Sequence, residues 1–519
     1  MKRRTLLAST LLSGTALGLG KTAAAAGGTK REEQKKAASG TGAGRDADVI
    51  VLGAGFSGLS AAVTAARAGA RVLVLEKRAY AGGDGILSAG IIATAGTPLH
   101  KEQGIAGDLS VDAYWARIAS GIEDEPLSKV RDNQELSPIY SGIFKHDPAV
   151  LRRSAENSPE VIAFLRSFGI EFLPINHGQP FLMPTKPGSM PKFAQALLEE
   201  LKRLNVSLLT ERRAQKILMD TSADSPRVCG VEVKTASGAV EEYRAPVVIV
   251  ATGGFVNNKA MMRRYKRYWA DVPVGFLAVG EGVPAGHDGD GIVMGKQIGA
   301  SLEDMESMPK FYAAPQKGMR SPTWILFDTD TAYLVDAKGR RFCDEHASRY
   351  SGCAVKAYGK GIKEAFVVFD EATFTGPNKA RWGYEALMKA GALYKADTIE
   401  EAAKKAGVDP AGLKATLETI ARDARTGVDS EFGRRDKLFR ALKAPFYVST
   451  PSTPVCFKTE GGLEVNNRFE VLRASDDKPF GGLYAVGATC GSISSRLCDV
   501  IASGILAGPA AAEAAKKLA

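Results

Sequence analysis

Asp48-Val-Ile-Val-Leu-Gly53-Ala-Gly55-Phe-Ser-Gly58-Leu-Ser opens the stretch that decides the fold; an alanine-rich run to Gly69 and then Arg71-Val-Leu-Val-Leu-Glu76-Lys77 complete it. The order is strand, glycine turn, helix, strand. Val49 to Leu52 is a continuous apolar run of the kind buried on both faces of a parallel sheet. Gly53, Gly55 and Gly58 suit a tight turn, a close backbone approach to a pyrophosphate, and helix-on-strand packing. A lone G-x-G-x-x-G also fits a structural turn. Glu76 supplies the second feature, a carboxylate at the end of the next strand where ribose hydroxyls donate. Lys77 follows it, rather than a basic pair suited to a 2′-phosphate.

Outward from this unit, 519 residues leave room for two or three domains. The formal charge of +10 includes four basic residues among the first 21. No arginine–aromatic strip or basic helix indicates nucleic acid; mild basicity serves solubility or steering toward an acidic redox partner. Lys2-Arg3-Arg4-Thr5-Leu6-Leu7, an apolar stretch to Leu19 and the alanines 23–26 read as a signal peptide over 1–26. The twin-arginine route is expected, with a plain secretory signal as the alternative. A flexible linker follows over 27–46. No later run is expected to reach the ~18 apolar residues of a membrane span. Six cysteines, Cys229, Cys343, Cys353, Cys456, Cys490 and Cys498, form no C-x-x-C-H or C-x-x-C motif. Neither a covalent haem nor a metal is therefore expected. Buried free thiols are the default, with Cys343–Cys353 and Cys490–Cys498 pairing left open.

A glycine loop, Ala81-Gly82-Gly83-Asp84-Gly85-Ile-Leu-Ser88-Ala89-Gly90, follows the second strand. The run from Val161 to Phe168 reads as a helix closed by Gly169. Pro174 to Pro191 is expected to be loop throughout. Lys192–Leu204 reads as an amphipathic helix. Strands follow at 206–210, 213–219, 228–235 and 241–244, and Val247-Val-Ile-Val-Ala251-Thr252-Gly253-Gly254-Phe255 is a last core strand with a glycine end.

Four separated stretches carry a resemblance: Gly53-Ala-Gly55-Phe-Ser-Gly58, Val250-Ala-Thr-Gly-Gly-Phe255, His287-Asp-Gly289-Asp290-Gly291 and Gly481-Gly-Leu-Tyr-Ala-Val-Gly487. Over nearly everything after residue 46 the chain resembles the soluble fumarate reductase and flavocytochrome c flavoproteins, with the related urocanate and acrylate reductases. The resemblance implies an α/β fold: a Rossmann-like FAD-binding domain over 47–256 and 445–519, with an inserted α+β capping domain over 257–444. It implies non-covalent FAD held by Gly53, Ala54, Gly55, Ser57, Gly58, Glu76, Lys77, Gly82, Gly83, Ser88, Ala89, Gly90, Ala251, Thr252, Gly253, Asp290, Gly487 and Ala488. The helix from Val500 to Leu518 should point its positive end at the flavin.

The resemblance also places a proton donor at Arg349, seven residues beyond Phe342, with Glu345, Asp344 or Asp328 as the relay that returns the proton. An arginine stays charged, so its role includes stabilising the developing anion. Arg496, before Leu497, matches the family's arginine for a substrate carboxylate, a bidentate contact. Where fumarate reductases hold the substrate with two histidines, this chain carries Phe311 or Tyr312, and Phe457. A buried carboxylate deprived of charged hydrogen bonds loses about 1.5–3 kcal/mol for each. An aromatic or apolar acrylate, urocanate-like, is expected in place of fumarate, packed on Phe311, Trp324 and Phe457. Those aromatics equally suit a plain capping-domain core. Tyr312 and Tyr350 keep open a ketosteroid-type Δ1-dehydrogenase, although that family's carboxyl-terminal Tyr-Pro-Gly is missing. A non-catalytic flavin-binding protein of the envelope is the third reading. With no haem motif in the chain, a separate c-type cytochrome in the periplasm is the expected electron donor.

Overall fold

The computed structural model describes residues 46–518 except 89, 115–147, 176–179, 223–225, 273, 275–285, 307–309, 316–326, 347–352, 354–355, 377–383 and 492–495. The opening stretch folds as β1 (Val49–Leu52), α1 (Phe56–Arg67) and β2 (Val72–Leu75). Every residue of both strands is buried, as a sheet covered on both faces requires. Next come β3 (Ile91–Ala93), α2 (Ser158–Ser167), β4 (Leu182–Pro184) and α3 (Ser189–Arg203). Five strands follow, β5 (Ser207–Leu209), β6 (Arg212–Asp220), β7 (Arg227–Thr235), β8 (Val240–Arg244) and β9 (Val247–Val250), then α4 (Lys259–Tyr265) and α5 (Asp290–Gln297). The middle of the chain gives β10 (Leu302–Glu303), β11 (Lys310–Pro315), β12 (Tyr333–Asp336), β13 (Ala365–Asp370) and β14 (Leu393–Ala396), then α6 (Ile399–Ala406) and α7 (Pro410–Thr426). The last elements are β15 (Phe446–Ser449), β16 (Ser452–Lys458), β17 (Gly462–Leu463), β18 (Glu470–Leu472), β19 (Pro479–Ala485) and α8 (Leu497–Lys517).

Two sheets organise these elements. The first runs β5-β2-β1-β9-β19-β7-β6, with β18 on β19 and β8 on β7. β1 lies parallel between β2 and β9, and β19 parallel to β9. The second runs β11-β16-β13-β15-β14, with β12 on β13, and is antiparallel. The first is the Rossmann-like layer, and the second is the inserted α+β cap.

The pairing moves the expected domain boundaries. β15 and β16 were assigned by sequence to the FAD-binding part, yet both pair inside the second sheet, which therefore reaches Lys458. At the other end, Gly291 N donates to Thr252 Oγ1 at 3.0 Å, and Ser301 N to the Leu472 carbonyl at 2.9 Å, so α5 and β10 attach to the first sheet. The strands of the insertion thus run from 310 to 458 rather than lying within 257–444. A short apolar strand carries no local mark of the sheet that accepts it.

Two further expectations are corrected. Within 174–191, β4 pairs antiparallel with β3, and α3 begins at Ser189. The partner of β4 is some 90 residues upstream, too distant for a local reading to find. Among the described residues one helix, α8, is also long and apolar enough by length and composition to cross a membrane. Here 56% of its most apolar window is buried, and it packs on α1, where Thr64 Oγ1 donates to the Gly504 carbonyl at 3.3 Å. Its apolarity is that of a core helix.

Candidate active site

The carboxyl ends of β2, β1, β9 and β19 lie side by side. Gly53 N donates to the Leu75 carbonyl at 2.8 Å, Ala251 N to Leu52 at 2.8 Å and Val486 N to Val250 at 2.9 Å. In an open parallel sheet such a row of strand ends is where a ligand sits. Gly53 turns there at φ +102°, and a Cβ on it would meet the Ala251 carbonyl oxygen at 2.5 Å. Gly487 turns at φ +67°, where a Cβ would come within 2.4 Å of Ser57 Oγ. Side chains are excluded from both crossings.

The first turn of α1 holds no acidic residue, and its N-cap, Gly55, offers no side-chain cap. Its leading N–H groups suit a pyrophosphate. Glu76 accepts from Ala54 N at 2.7 Å and from Arg78 N at 2.8 Å, one bond to each oxygen. A lone pair on each oxygen is left for ribose hydroxyls. Gly82, Gly83, Ser88 and Gly90 form the expected loop, with Gly82 N on the Ala54 carbonyl at 2.7 Å and Gly90 N on Ser88 Oγ at 3.2 Å. Ala89 lies outside the described residues. Beside Gly90, the buried Thr185 Oγ1 has no hydrogen-bond partner among the described residues, an orphan that a ring bearing polar atoms would satisfy. Gly253 N donates to Thr489 Oγ1 at 2.9 Å, and Gly487 N to Ser503 Oγ at 3.0 Å, which fixes the glycine ends of β9 and β19. Ala488 follows in the same short helical turn. These residues fit FAD.

Lys77 and Asp290 meet in an ion cluster. Lys77 pairs with Asp288 and, at 3.2 Å, with Asp290, and Arg213 reaches Asp290 at 2.6 Å and Asp288 at 3.0 Å. Sequence reading passed over a second network. His287 Nδ1 accepts from Gly254 N at 3.1 Å, so its Nε2 carries the proton and faces Asp84 at 2.8 Å, which also pairs with Arg78 at 3.0 Å. Burial alone would raise the Asp84 carboxyl, but His287 and Arg78 outweigh it and hold it well below the usual carboxylate range. The glycine loop is thereby tied to the end of β9. The signal for it was Asp84 inside a glycine-rich loop.

The cap chain returns to the first sheet over this crevice. Thr459 Oγ1 accepts from Phe255 N at 2.9 Å, just beyond β16. β16 pairs Lys458 with Lys310 and then Cys456 with Phe311, so Phe457 is the extra residue of a bulge. Tyr312 stands opposite Val455 in the same ladder. The aromatic positions 311, 312 and 457 are thus gathered on two neighbouring strands that end at the crevice. Trp324 lies outside the described residues. Lys458, also passed over in the sequence, holds its ammonium 5.3 Å from the centre of the Phe457 ring. Lys266 lies beneath, 2% exposed, with its ammonium 5.6 Å from the centre of the Phe255 ring. Burial pushes its pKa down to about 7, against the opposing pull of Glu460.

The proposed catalytic residues divide. Arg349 and Tyr350 lie outside the described residues, and Tyr312 is described through its backbone pairing. Arg496 is half-buried at the N-cap of α8, with Tyr114 and Asp499 as neighbours. Asp328 is half-buried; its N–H donates to Tyr384 Oη at 3.0 Å, and its Oδ1 accepts from Asp330 N at 3.0 Å. Glu345 is fully buried with both oxygens engaged. Arg341 Nη2 donates to it at 2.8 Å and Nε at 3.2 Å, and Leu334 N donates at 3.0 Å. Arg341, itself fully buried, also reaches Asp429 at 2.8 Å and lies 4.9 Å from the Phe432 ring centre and 5.2 Å from that of Tyr333. Enclosed in this way, Glu345 ties β12 to Arg341.

Comparison with known proteins agrees with this geometry. Residues 48–499 match the family model of the FAD binding domain. A fumarate reductase (cytochrome) of Shewanella frigidimarina is 26% identical over 489 residues, 91% of this chain and 78% of that one. A urocanate reductase of Eggerthella lenta is 29% identical over 492 residues, 90% of this chain and 75% of that one. Among solved structures, the open conformation of a flavocytochrome c3 fumarate reductase superposes with a TM-score of 0.66 at 25% identity, covering 93% of this chain and 81% of the other. The chain belongs to the FAD binding domain family, as an FAD-dependent oxidoreductase of its fumarate reductase branch.

Proposed function

We propose that the protein is an exported reductase for the C=C bond of an α,β-unsaturated carboxylate, with an aromatic or apolar acrylate preferred over fumarate. The observation that carries this reading is the bulged β11–β16 ladder, which sets positions 311, 312 and 457 together where β16 enters the crevice. The similarity to fumarate and urocanate reductases supports the reaction class. FAD, held non-covalently, supplies the hydride when bound.

The chain's own residues do the rest. Phe311 and Phe457 offer apolar area to the substrate body and exclude water, which strengthens the charge interactions inside. Arg496 and Lys458 supply cations for one carboxylate. Arg349 gives the proton to the carbon that gains negative charge, and Asp328 or Asp344 returns one to it. A separate c-type cytochrome in the periplasm delivers the electrons.

Anaerobic titration of the FAD-loaded protein, reduced by a dye and challenged with a panel of acrylates, fumarate and urocanate, tests this. Flavin reoxidation fastest with an aromatic acrylate is the expected result. Arg349→Lys should keep FAD and lose turnover. A flavin that no unsaturated acid reoxidises would remove the reading, and oxidation of a 3-ketosteroid instead would favour the dehydrogenase alternative.

A further inference from the structure

We propose that Cys343 and Cys353 form a redox pair, a cross-linking site within the cap that closes to a disulfide in an oxidising compartment. The two sulfurs lie 3.5 Å apart. Both side chains are buried, 0% and 2% exposed, in an apolar cluster with Phe327, Phe342 and Tyr384. Two of the three other buried thiols are engaged elsewhere: Cys490 donates to the Ala485 carbonyl at 2.8 Å, and Cys456 donates to the Lys458 carbonyl at 3.8 Å.

A disulfide bond is about 2.05 Å long, so closure asks the sulfurs to approach by roughly 1.5 Å. The reaction is thiol–disulfide exchange with an external disulfide, either that of a thiol oxidoreductase or oxidised glutathione. One cysteine attacks the incoming disulfide and releases one thiol. The second cysteine then displaces the other, forming the protein's S–S bond. Two electrons and two protons pass from the cysteines to the departing thiols, and nothing else is consumed. Burial and the neighbouring sulfur push the Cys343 thiol well above its ordinary range. Exchange is consequently slow in both directions, and the bond is long-lived once made.

The bond would enclose residues 344–352 in a covalent ring that contains Glu345 and Arg349. Described residues of this stretch are also tied by Glu345 to Arg341 at 2.8 Å and to Leu334 N at 3.0 Å, and by His346 Nδ1 to Asp330 at 2.8 Å. Its effect on turnover rests on the proposed function; its formation does not.

The test incubates the FAD-loaded full chain with oxidised glutathione, quenches with acid, denatures, alkylates with iodoacetamide and digests. The expected product is a peptide pair joined through Cys343 and Cys353, about 2 Da lighter than the two reduced peptides together and separated by dithiothreitol. In Cys343→Ser and Cys353→Ser the pair should vanish and the remaining cysteine should carry the alkyl group. Both cysteines alkylated in the treated wild type, or either one joined to glutathione or to Cys456, Cys490 or Cys498, would overturn the proposal. A cross-link in protein that reduces no unsaturated acid would leave the pair standing and remove the proposed function; turnover without a cross-link would do the reverse.

Discussion

Glu345→Gln separates a strut from a proton carrier. In the structure the carboxylate receives two N–H groups from Arg341, at 2.8 and 3.2 Å, and one from Leu334 N at 3.0 Å, with no water-exposed surface on either partner's side chain. Glutamine keeps the shape but turns one acceptor into an NH2 group that faces a donor, and it removes the charge. Breaking a buried pair costs about 3–5 kcal/mol, because one charge is left uncompensated. Arg341 keeps Asp429 at 2.8 Å and two aromatic faces, so the lower part of that range applies, about 3–4 kcal/mol. The assay is urea unfolding of the FAD-bound protein, run beside turnover with a reduced dye and an acrylate. A strut predicts a large fall in stability, with turnover per folded molecule changed less than about threefold, equivalent to ~0.6 kcal/mol on the barrier. Arg341→Met should destabilise similarly, and the double variant should cost less than the sum of the two. Stability within about 0.5 kcal/mol of wild type together with a collapse of turnover would refute the argument and return Glu345 to the relay.

Three further outcomes follow from the same geometry. Lys266 in the folded protein releases its proton near pH 7, below its ordinary value of 10.5, so between these limits the unfolded chain binds more protons. Stability should therefore rise with pH across that window by roughly 4–5 kcal/mol and flatten below it; Lys266→Met should lose the slope in thermal melts from pH 7 to 9. Gly487→Ala puts a Cβ within 2.4 Å of Ser57 Oγ at a φ of +67°, so FAD retention on gel filtration should fall while the far-ultraviolet circular dichroism stays close to wild type. Glu76→Gln leaves the fold in place but weakens ribose acceptance and faces an NH2 group toward Ala54 N or Arg78 N; about a tenfold loss of FAD affinity, ~1.4 kcal/mol, is expected by fluorescence titration.

The nucleotide cradle was legible because its determinants are local. The apolar run at β1, its three glycines and the carboxylate ending β2 are all set within thirty residues, and each reports a backbone or hydrogen-bond requirement of its own. What stayed hidden is set by partners far along the chain. β4 reads as loop until β3 is beside it, β15 and β16 read as part of the wrong sheet, and Glu345 looks like an available acid until Arg341 is seen folded back onto it. His287 with Asp84, and Lys266 beneath Phe255, are likewise contacts between segments with no shared local pattern. The aromatic positions 311 and 457 were legible as residue types, whereas the bulge that joins them appears only in the ladder.

The order of the strands has a consequence for biosynthesis. β1 emerges first, but its sheet neighbour β9 follows some 200 residues later, and β19 and α8, which complete the layer, follow later still. A nascent polypeptide on the ribosome therefore cannot finish its dinucleotide seat until β19 has been made, and the long loops to be closed favour slow assembly. Loading of the cofactor waits for β19, and a product truncated before it would emerge without a finished seat to load.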